Sequence, residues 1–213
     1  LFETLLWQKE SGYYLLDEHL RRLENAAQFF KFSFDNSVVR SLLMDEQKSF
    51  PTNCCRIRLM LEKDGRVRTM AEPINPPPCT SLPVVPEKEV GSQLPVIDFS
   101  PARVNTDAPW SFFKTSRREL YNQEYARALE QGLYEYIFLN EAGEVTEGCI
   151  TNLVIYSHGR YRTPPVGCGL LPGTMRGQLL ADTGRPVFEE KLTEQDVRDA
   201  EAVFVCNSVR GVV

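Results

Sequence analysis

The chain has 213 residues, a formal net charge of −5, and 42% hydrophobic and 25% charged residues, which is ordinary for a soluble globular protein. No apolar run approaches the roughly 20 residues that a membrane-spanning helix needs, and no basic stripe indicates a nucleic-acid-binding surface. The six cysteines include no C-x-x-C pair and the chain has only two histidines, so the sequence predicts no metal site. Reduced thiols and the lack of a signal-peptide pattern favour a cytoplasmic protein.

Short strands and helices alternate through the first third of the chain. The pattern predicts a hairpin from 1–8 and 13–16, helices at about 18–31 and 36–47, and a second hairpin around Asp64-Gly65. We expect Asp17 to cap the first helix, because a short polar side chain there accepts backbone N–H groups. Period-two alternation in the second hairpin places Arg56 and Arg58 on one face of a strand.

Seven prolines interrupt the chain between residues 73 and 95. Proline removes backbone donors and breaks regular ladders. The sequence therefore predicts a connection at 83–92, between a small N-terminal α/β domain at 1–82 and a larger C-terminal domain at 93–213.

The remainder of the chain is rich in strands with helices between them. The pattern predicts helices at about 116–131, 174–183 and 193–200, a turn at 141–144, and strands within LPVIDFS, YEYIFLN, ITNLVIY, RYRTPPV, PVFEEKL and EAVFVCNS. This order of elements indicates the α+β class.

Two side chains are candidates for chemistry because of their type and surroundings. Lys114 follows Trp110, Phe112 and Phe113, and a lysine that is partly desolvated among aromatic rings can act as a nucleophilic amine. Glu147 stands at the mouth of a predicted strand, where a carboxylate can bind a cationic ring nitrogen. Taken alone, a lysine at a helix start or a carboxylate in a turn is more often a solvated surface group.

Two turns are candidates for anion binding. Gly169 and Gly173 allow close backbone approach, and Thr174 and Met175 would offer the backbone N–H groups of a helix N-terminus. Asn207 and Ser208 end the last predicted strand, where polar groups that face a ligand often lie. The alternative interpretation is a simple helix cap in the first turn and an ordinary end of a strand in the second.

The order and spacing of these motifs resemble the class IV aminotransferases, the fold type IV pyridoxal-phosphate enzymes. The matching segments are FETLL, EHLRRLENAA, the lysine, EGCITNL, LLPGTMR and NS. The resemblance implies that Lys114 holds pyridoxal 5'-phosphate as a Schiff base and moves protons, and that Glu147 keeps the pyridine nitrogen protonated. The other cofactor contacts that it implies come from Arg22, Leu171, Gly173, Thr174, Met175 and Ser208.

The resemblance also assigns roles to these contacts. Arg22 and the Ser208 hydroxyl match groups that bind the cofactor phosphate, as do the backbone donors of Thr174 and Met175. Leu171 matches an apolar residue packed on the ring. The implied fold has a small N-terminal α/β domain and a larger C-terminal pseudo-barrel domain, with the cofactor between them.

Within this family the chain most resembles the aminodeoxychorismate lyases of folate biosynthesis, which cleave 4-amino-4-deoxychorismate to 4-aminobenzoate and pyruvate. That substrate carries two carboxylates, so we expect a cationic pocket, for which Arg56, Arg58 and Arg117 are candidates. Transamination of branched-chain or D-amino acids remains an alternative, because it uses the same lysine and glutamate. A non-catalytic relative that acts as a binding module is a further alternative.

The resemblance also bears on partners. It implies a homodimer and a small-molecule substrate, with no nucleic-acid or membrane partner. The segments resemble the C-terminal part of fused 4-aminobenzoate synthases, so a synthase domain or subunit is a candidate partner. Because the first residue is not Met, we expect further residues upstream.

Overall fold

A computed structural model describes residues 1–75, 79–84, 94–106 and 109–213, the side chain of residue 109 excepted. The chain falls into two compact units. The first unit comprises Leu1–Pro78 with Phe113–Ser116, and the second comprises Cys79–Phe112 with Arg117–Val213. Helices and strands occur together in the chain, so the predicted α+β class is confirmed.

The first unit is an antiparallel sheet with two helices. Its elements are β1 (Phe2–Gln8), β2 (Gly12–Tyr13), α1 (Leu16–Phe30), α2 (Asn36–Glu46), β3 (Cys54–Leu61) and β4 (Val67–Pro73), with a short 3-10 helix at Gln47–Ser49. The strands lie in the order β2-β1-β3-β4. Leu5, Leu20, Leu23, Leu43 and Ile57 are fully buried or nearly so in the core of this unit.

The start of α1 differs from the prediction. Asp17 does not cap the helix; the helix begins at Leu16, and the residue before it, Leu15, has a left-handed backbone with φ of 53° and no capping side chain. Asp17 instead lies in the first turn, where a carboxylate favours the helix dipole, and pairs with Arg40. The cap of α2 follows the usual rule, because Asp35 accepts hydrogen bonds from the backbone N–H groups of the first turn.

The two faces of β3 differ as the alternation predicts. Cys55, Ile57 and Leu59 are buried, whereas Arg56 is half-buried and Arg58 is exposed. Apolar side chains on the buried face pack onto the core and therefore fix the register of the strand. This packing commits both arginines to the opposite face.

The second unit has the larger sheet. Its strands are β5 (Ile97–Val104), β6 (Glu135–Asn140), β7 (Val145–Gly148), β8 (Asn152–Ser157), β9 (Arg160–Thr163), β10 (Val187–Glu189), β11 (Ala202–Asn207) and β12 (Gly211–Val212). Its helices are α3 (Glu119–Glu130), α4 (Thr174–Ala181) and α5 (Glu194–Arg198), with 3-10 turns at Pro109–Phe112 and Val166–Cys168. The strands lie in the order β10-β9-β8-β7-β6-β5, and β11 pairs with β8 and β12.

Two short strands in the second unit were not predicted. β7 has four residues and carries Glu147, and β12 has two. Both are too short for an alternating pattern to show in the sequence. Among the described residues, none of the helices has the length and apolarity to cross a membrane.

Segment 113–116 lies within the range predicted for the second domain but groups with the first unit. The Phe113 ring packs on Phe29 and Phe30, with ring centroids 4.6 and 5.2 Å apart. The backbone N–H of Phe2 donates to the carbonyl oxygen of Lys114 at 3.3 Å. Of the connection predicted at 83–92, only residues 83 and 84 are described, and the remainder lies outside the described residues.

Candidate active site

Lys114 lies against the ring of Phe2, the first residue of β1. Its ε-amine nitrogen is 4.9 Å from the centroid of the Phe2 ring, and the guanidinium carbon of Arg58 is 3.7 Å from the same centroid. Phe2 is buried, and Lys114 is half-buried. The same ring therefore contacts two cationic side chains, and each contact is favourable because the face of an aromatic ring attracts positive charge.

A buried carboxylate anchors Arg22 in the same unit. Glu3 is 1% exposed and accepts hydrogen bonds from Nε of Arg22 at 2.8 Å and from Nη2 at 2.6 Å. The Nδ1 atom of His19, which is fully buried, lies 2.8 Å from Oε2 of Glu3. Such a two-point contact fixes the plane of the guanidinium group.

The protonation of this cluster follows from burial and charge. Burial alone raises the pKa of Glu3, but the charge of Arg22 and the hydrogen bonds from His19 and Arg22 outweigh it, so the pKa lies well below its usual range. Burial lowers the pKa of His19, and the positive charges of Arg22 and Lys114 add to that effect against the opposing charge of Glu3. We therefore assign an ionised Glu3, a cationic Arg22 and a neutral His19.

Glu147 occupies the centre of a polar group in the second unit. It is 7% exposed, and its Oε1 accepts a hydrogen bond from the Tyr121 hydroxyl at 3.1 Å. The amide nitrogen of Asn152 lies 3.5 Å from Oε2 of Glu147, across the register that pairs these two residues in β7 and β8. A buried carboxylate with oriented donors suits the binding of a cation.

Asn152 also joins Glu147 to the loop before α4. Its amide nitrogen donates to the carbonyl oxygen of Leu171 at 3.0 Å. A Cβ atom added to Gly173 would lie 1.9 Å from Oδ1 of Asn152, so a larger residue there would displace the Asn152 side chain. The loop thus owes its path to a side chain on β8.

The N-terminus of α4 has the character of an anion site. Gly173 is its N-cap residue and supplies no capping side chain. Thr174 and Met175, in the first turn, are 7% and 1% exposed. Their backbone N–H groups belong to the turn that has no acceptor within the helix, and the helix dipole there favours a negative group.

Ser208 is held by a turn after β11. It is 7% exposed. The preceding Asn207 accepts backbone N–H groups of Val209 at 2.9 Å and of Arg210 at 2.7 Å, and its amide donates to the carbonyl oxygen of Ile150 at 3.2 Å. These three contacts fix the backbone that carries Ser208.

The residues fit the cofactor that the sequence predicts. The second unit supplies a buried carboxylate for a cationic ring nitrogen and a helix N-terminus for a phosphate, and Asn152 binds both segments. Within the first unit, Lys114 offers an amine, and Arg22 offers a guanidinium group that Glu3 orients. Leu171 is half-buried beside Gly173.

The three candidate substrate arginines have different surroundings. Arg56 pairs with Glu72 on β4, and both side chains are about half exposed. Arg117 is exposed, and its guanidinium carbon lies 5.0 Å from the centroid of a Trp110 ring. Arg58 shares the Phe2 ring with Lys114.

Sequence reasoning missed four residues of these clusters. Glu3 and Asn152 stand inside the quoted motifs FETLL and EGCITNL, so their place in a motif was the available signal. His19 is interpreted from the sequence as a structural residue at a helix start, and the link to Glu3 was not anticipated. Nothing in the sequence pattern indicated Tyr121, whose hydroxyl contacts a residue 26 positions away.

Known proteins of one family are similar to this chain over its whole length. The sequence model of the family described as amino-transferase class IV matches residues 1–213. The chain belongs to this family. A protein of Schizosaccharomyces pombe named "Putative aminodeoxychorismate lyase" is 28% identical over 221 residues, which cover 100% of this chain and 87% of that protein.

Solved structures show the same fold. A "Putative amino-acid aminotransferase" from Mesorhizobium loti superposes with a TM-score of 0.85 and 31% identity, over 100% of this chain and 96% of that one. The branched-chain amino acid aminotransferase of Thermobaculum terrenum, in its PLP-bound form, gives a TM-score of 0.77 and 19% identity, over 100% and 74% of the two chains. The fold type IV prediction is confirmed, and the family and its relatives indicate a PLP-dependent lyase or aminotransferase.

Proposed function

We propose that the chain is a PLP-dependent aminodeoxychorismate lyase, which converts 4-amino-4-deoxychorismate to 4-aminobenzoate and pyruvate. The observation that carries the binding of a substrate carboxylate is the position of Arg58, whose guanidinium group contacts the same Phe2 ring as the Lys114 amine. A guanidinium group beside the reactive amine favours a substrate that brings a carboxylate there. The full-length similarity to the S. pombe protein supports the same reaction.

The proposal assigns the cofactor contacts that the family resemblance implies. Lys114 supplies the amine that holds it, and Glu147 holds a proton at the pyridine nitrogen. The groups proposed for the phosphate and the ring face are Arg22, Leu171, Gly173, Thr174, Met175 and Ser208. When bound, the cofactor supplies an electron sink for the substrate carbon that bears the amino group.

The amine of Lys114 has a second task in this proposal. Once the substrate amine has taken its place, the Lys114 nitrogen removes the proton from the carbon that bears the substrate nitrogen, as a general base. Arg58 binds a substrate carboxylate and so orients that carbon, while Arg56, already paired with Glu72, contributes less. The Glu147 carboxylate remains ionised throughout, because the ring nitrogen keeps its proton.

The decisive assay is product release. The purified chain, supplied with PLP, is expected to release 4-aminobenzoate and pyruvate from 4-amino-4-deoxychorismate. Lys114→Ala should abolish the reaction, and Lys48→Ala, at a lysine paired with Asp45 on an exposed surface, should not change it. Borohydride reduction in the presence of PLP, followed by peptide mass spectrometry, should attach the label at Lys114.

The role of Arg58 is tested on the same reaction. Arg58→Ala is expected to raise KM by at least about tenfold, since a hydrogen bond to a charged group contributes about 1.5–3 kcal/mol. Arg56→Ala, on the same strand face, is the matched control and should change KM by less than about threefold. Equal effects of the two substitutions would contradict the assignment of the substrate carboxylate.

A class IV transaminase is the second candidate, because the M. loti structure named as an aminotransferase is 31% identical over this whole chain. In that case the chain forms pyridoxamine phosphate from an amino acid and releases no 4-aminobenzoate. A protein that stays colourless with added PLP would reject both reactions and leave a binding module. We further propose a homodimer, which sedimentation equilibrium would test, and a synthase domain or subunit as partner.

A further inference from the structure

The Tyr121 hydroxyl is aimed at the carboxylate that the proposed function needs. Tyr121 lies in the first turn of α3, and its hydroxyl is 3.1 Å from Oε1 of Glu147. The other described donor, the Asn152 amide, is 3.5 Å from Oε2, at the long limit of a hydrogen bond. Of the two described contacts, Tyr121 is therefore the stronger donor to Glu147.

The ring of Tyr121 is held by packing that does not involve its hydroxyl. Its centroid lies 4.8 Å from that of Phe138, which is fully buried in β6, and the ring planes are tilted by 58°. A phenylalanine at this position would keep that contact. The hydroxyl is thus separable from the packing of the helix.

The hydroxyl keeps its proton over the useful pH range. Burial raises the pKa of Tyr121, and the negative charge of Glu147 raises it further. Tyr121 therefore donates to Glu147 and does not compete with it as an anion. Donation to a carboxylate favours its charged form.

The other titratable groups near this pair do not replace the hydroxyl. Arg118 lies 5.9 Å from the centroid of the Tyr121 ring and donates to the carbonyl oxygen of Cys149 at 2.7 Å. Burial raises the pKa of the Cys149 thiol to about 12, so that it stays neutral. Neither group displaces the hydrogen bond that the Tyr121 hydroxyl donates to Glu147.

We propose that Tyr121 is a positioning residue that holds the Glu147 carboxylate ionised and in a fixed orientation toward the cationic ring nitrogen of the cofactor. The inference rests on the proposed PLP function, which it deepens by naming a residue that sets the strength of that ion pair. Tyr121 acts through Glu147 and does not itself contact the reacting atoms.

The test measures PLP binding to the apoprotein by quenching of its fluorescence as a function of pH. In Tyr121→Phe a proton competes for Glu147 at a higher pH, so the acid midpoint of PLP binding should rise by about one unit, with about tenfold weaker binding at mildly acid pH. At mildly alkaline pH, where Glu147 is ionised in both proteins, the difference should shrink. A merely structural role would weaken binding equally at all pH values.

Two further variants isolate the hydroxyl effect. Tyr125→Phe, one turn along the same helix, removes a hydroxyl that accepts from Arg210 at 3.1 Å, and it should leave the midpoint unchanged. In the background Glu147→Gln, Tyr121→Phe should have no further effect, because the two changes belong to one interaction. A shift that persists in that background overturns the proposal.

A near-isosteric replacement guards against a folding defect. A ring-fluorinated tyrosine at position 121 keeps the packing and is a stronger donor, so it should lower the midpoint. Wild-type PLP binding together with an unshifted midpoint in Tyr121→Phe and in the fluorinated protein overturns the role of Tyr121 and leaves the proposed function intact. A wild-type protein that binds no PLP overturns both.

Discussion

Replacing Glu3 by glutamine should destabilise the protein far more than replacing an exposed carboxylate of the same unit. Glu3 is 1% exposed and Arg22 is 11% exposed, and two hydrogen bonds of 2.8 and 2.6 Å join them. Loss of one partner of a buried ion pair costs about 3–5 kcal/mol. Because glutamine keeps one acceptor oxygen and Arg22 reaches some water, we expect a loss of about 2–4 kcal/mol.

The assay is urea unfolding at neutral pH, monitored by far-ultraviolet circular dichroism. The transitions of all variants are fitted with one shared slope of the free energy of unfolding against urea concentration. Glu72→Gln is the matched control, because Glu72 pairs with Arg56 while both side chains are about half exposed, and such pairs contribute about 0–1 kcal/mol. If Glu3→Gln cost no more than Glu72→Gln, the cluster would not be a stabilising ion pair, and the reasoning from burial would be refuted.

The stability of the wild-type protein should depend on pH in a direction that the pKa of Glu3 sets. The folded pKa of Glu3 is lowered from 4.5, so its contribution is complete above that value and is lost as the pH falls below it. This loss is absent in Glu3→Gln. A stability curve that falls equally for both proteins below pH 4.5 would contradict the assignment of an ionised Glu3.

Three further predictions concern single residues. The folded pKa of His19 is lowered from 6.5, so below that pH the unfolded chain binds a proton that the folded chain does not. The free energy of unfolding should therefore fall by up to about 1.4 kcal/mol per pH unit as the pH drops below 6.5. His19→Gln should reduce this acid dependence in urea titrations. Gly173→Ala should abolish PLP binding in a spectroscopic titration, because its Cβ would lie 1.9 Å from Oδ1 of Asn152. Gly177→Ala is the matched change within α4: a Cβ there meets nothing within 4 Å, so the substitution should stabilise the helix by about 0.5–1 kcal/mol. Thr193→Ala removes the capping box of α5 and should lower the free energy of unfolding by about 1 kcal/mol in urea titrations.

The sequence predicts the parts of the fold that depend on short-range patterns. The starts of α2 and α5 and the alternation in β3 all follow from residues within a few positions of one another. The prediction that Asp17 caps α1 was wrong, because the left-handed backbone at Leu15 places Asp17 inside the helix. A backbone conformation of this kind has no reliable mark in a side chain other than glycine or asparagine.

In the candidate site, too, some residues can be predicted from short-range motifs and others cannot. Lys114, Glu147 and Gly173 stand in local motifs and could be named from them. The contacts of Tyr121 with Glu147 and of Arg22 with Glu3 join residues 26 and 19 positions apart. Since such contacts depend on how elements pack, no periodicity in the sequence reveals them.

The choice between Arg56 and Arg58 as the arginine for a substrate carboxylate also depends on how elements pack. Alternation makes Arg56 and Arg58 equivalent, because both lie on the same face of β3. Strand pairing separates them, since Glu72 lies opposite Arg56 and Met70 lies opposite Arg58. In the proposed function Lys114 and Glu147 would serve a lyase and a transaminase equally, and substrates of both reactions carry a carboxylate. Arg58, whose guanidinium carbon lies 3.7 Å from the centroid of the Phe2 ring, is the group that we propose for this carboxylate, and the KM of Arg58→Ala measured against that of Arg56→Ala tests the assignment.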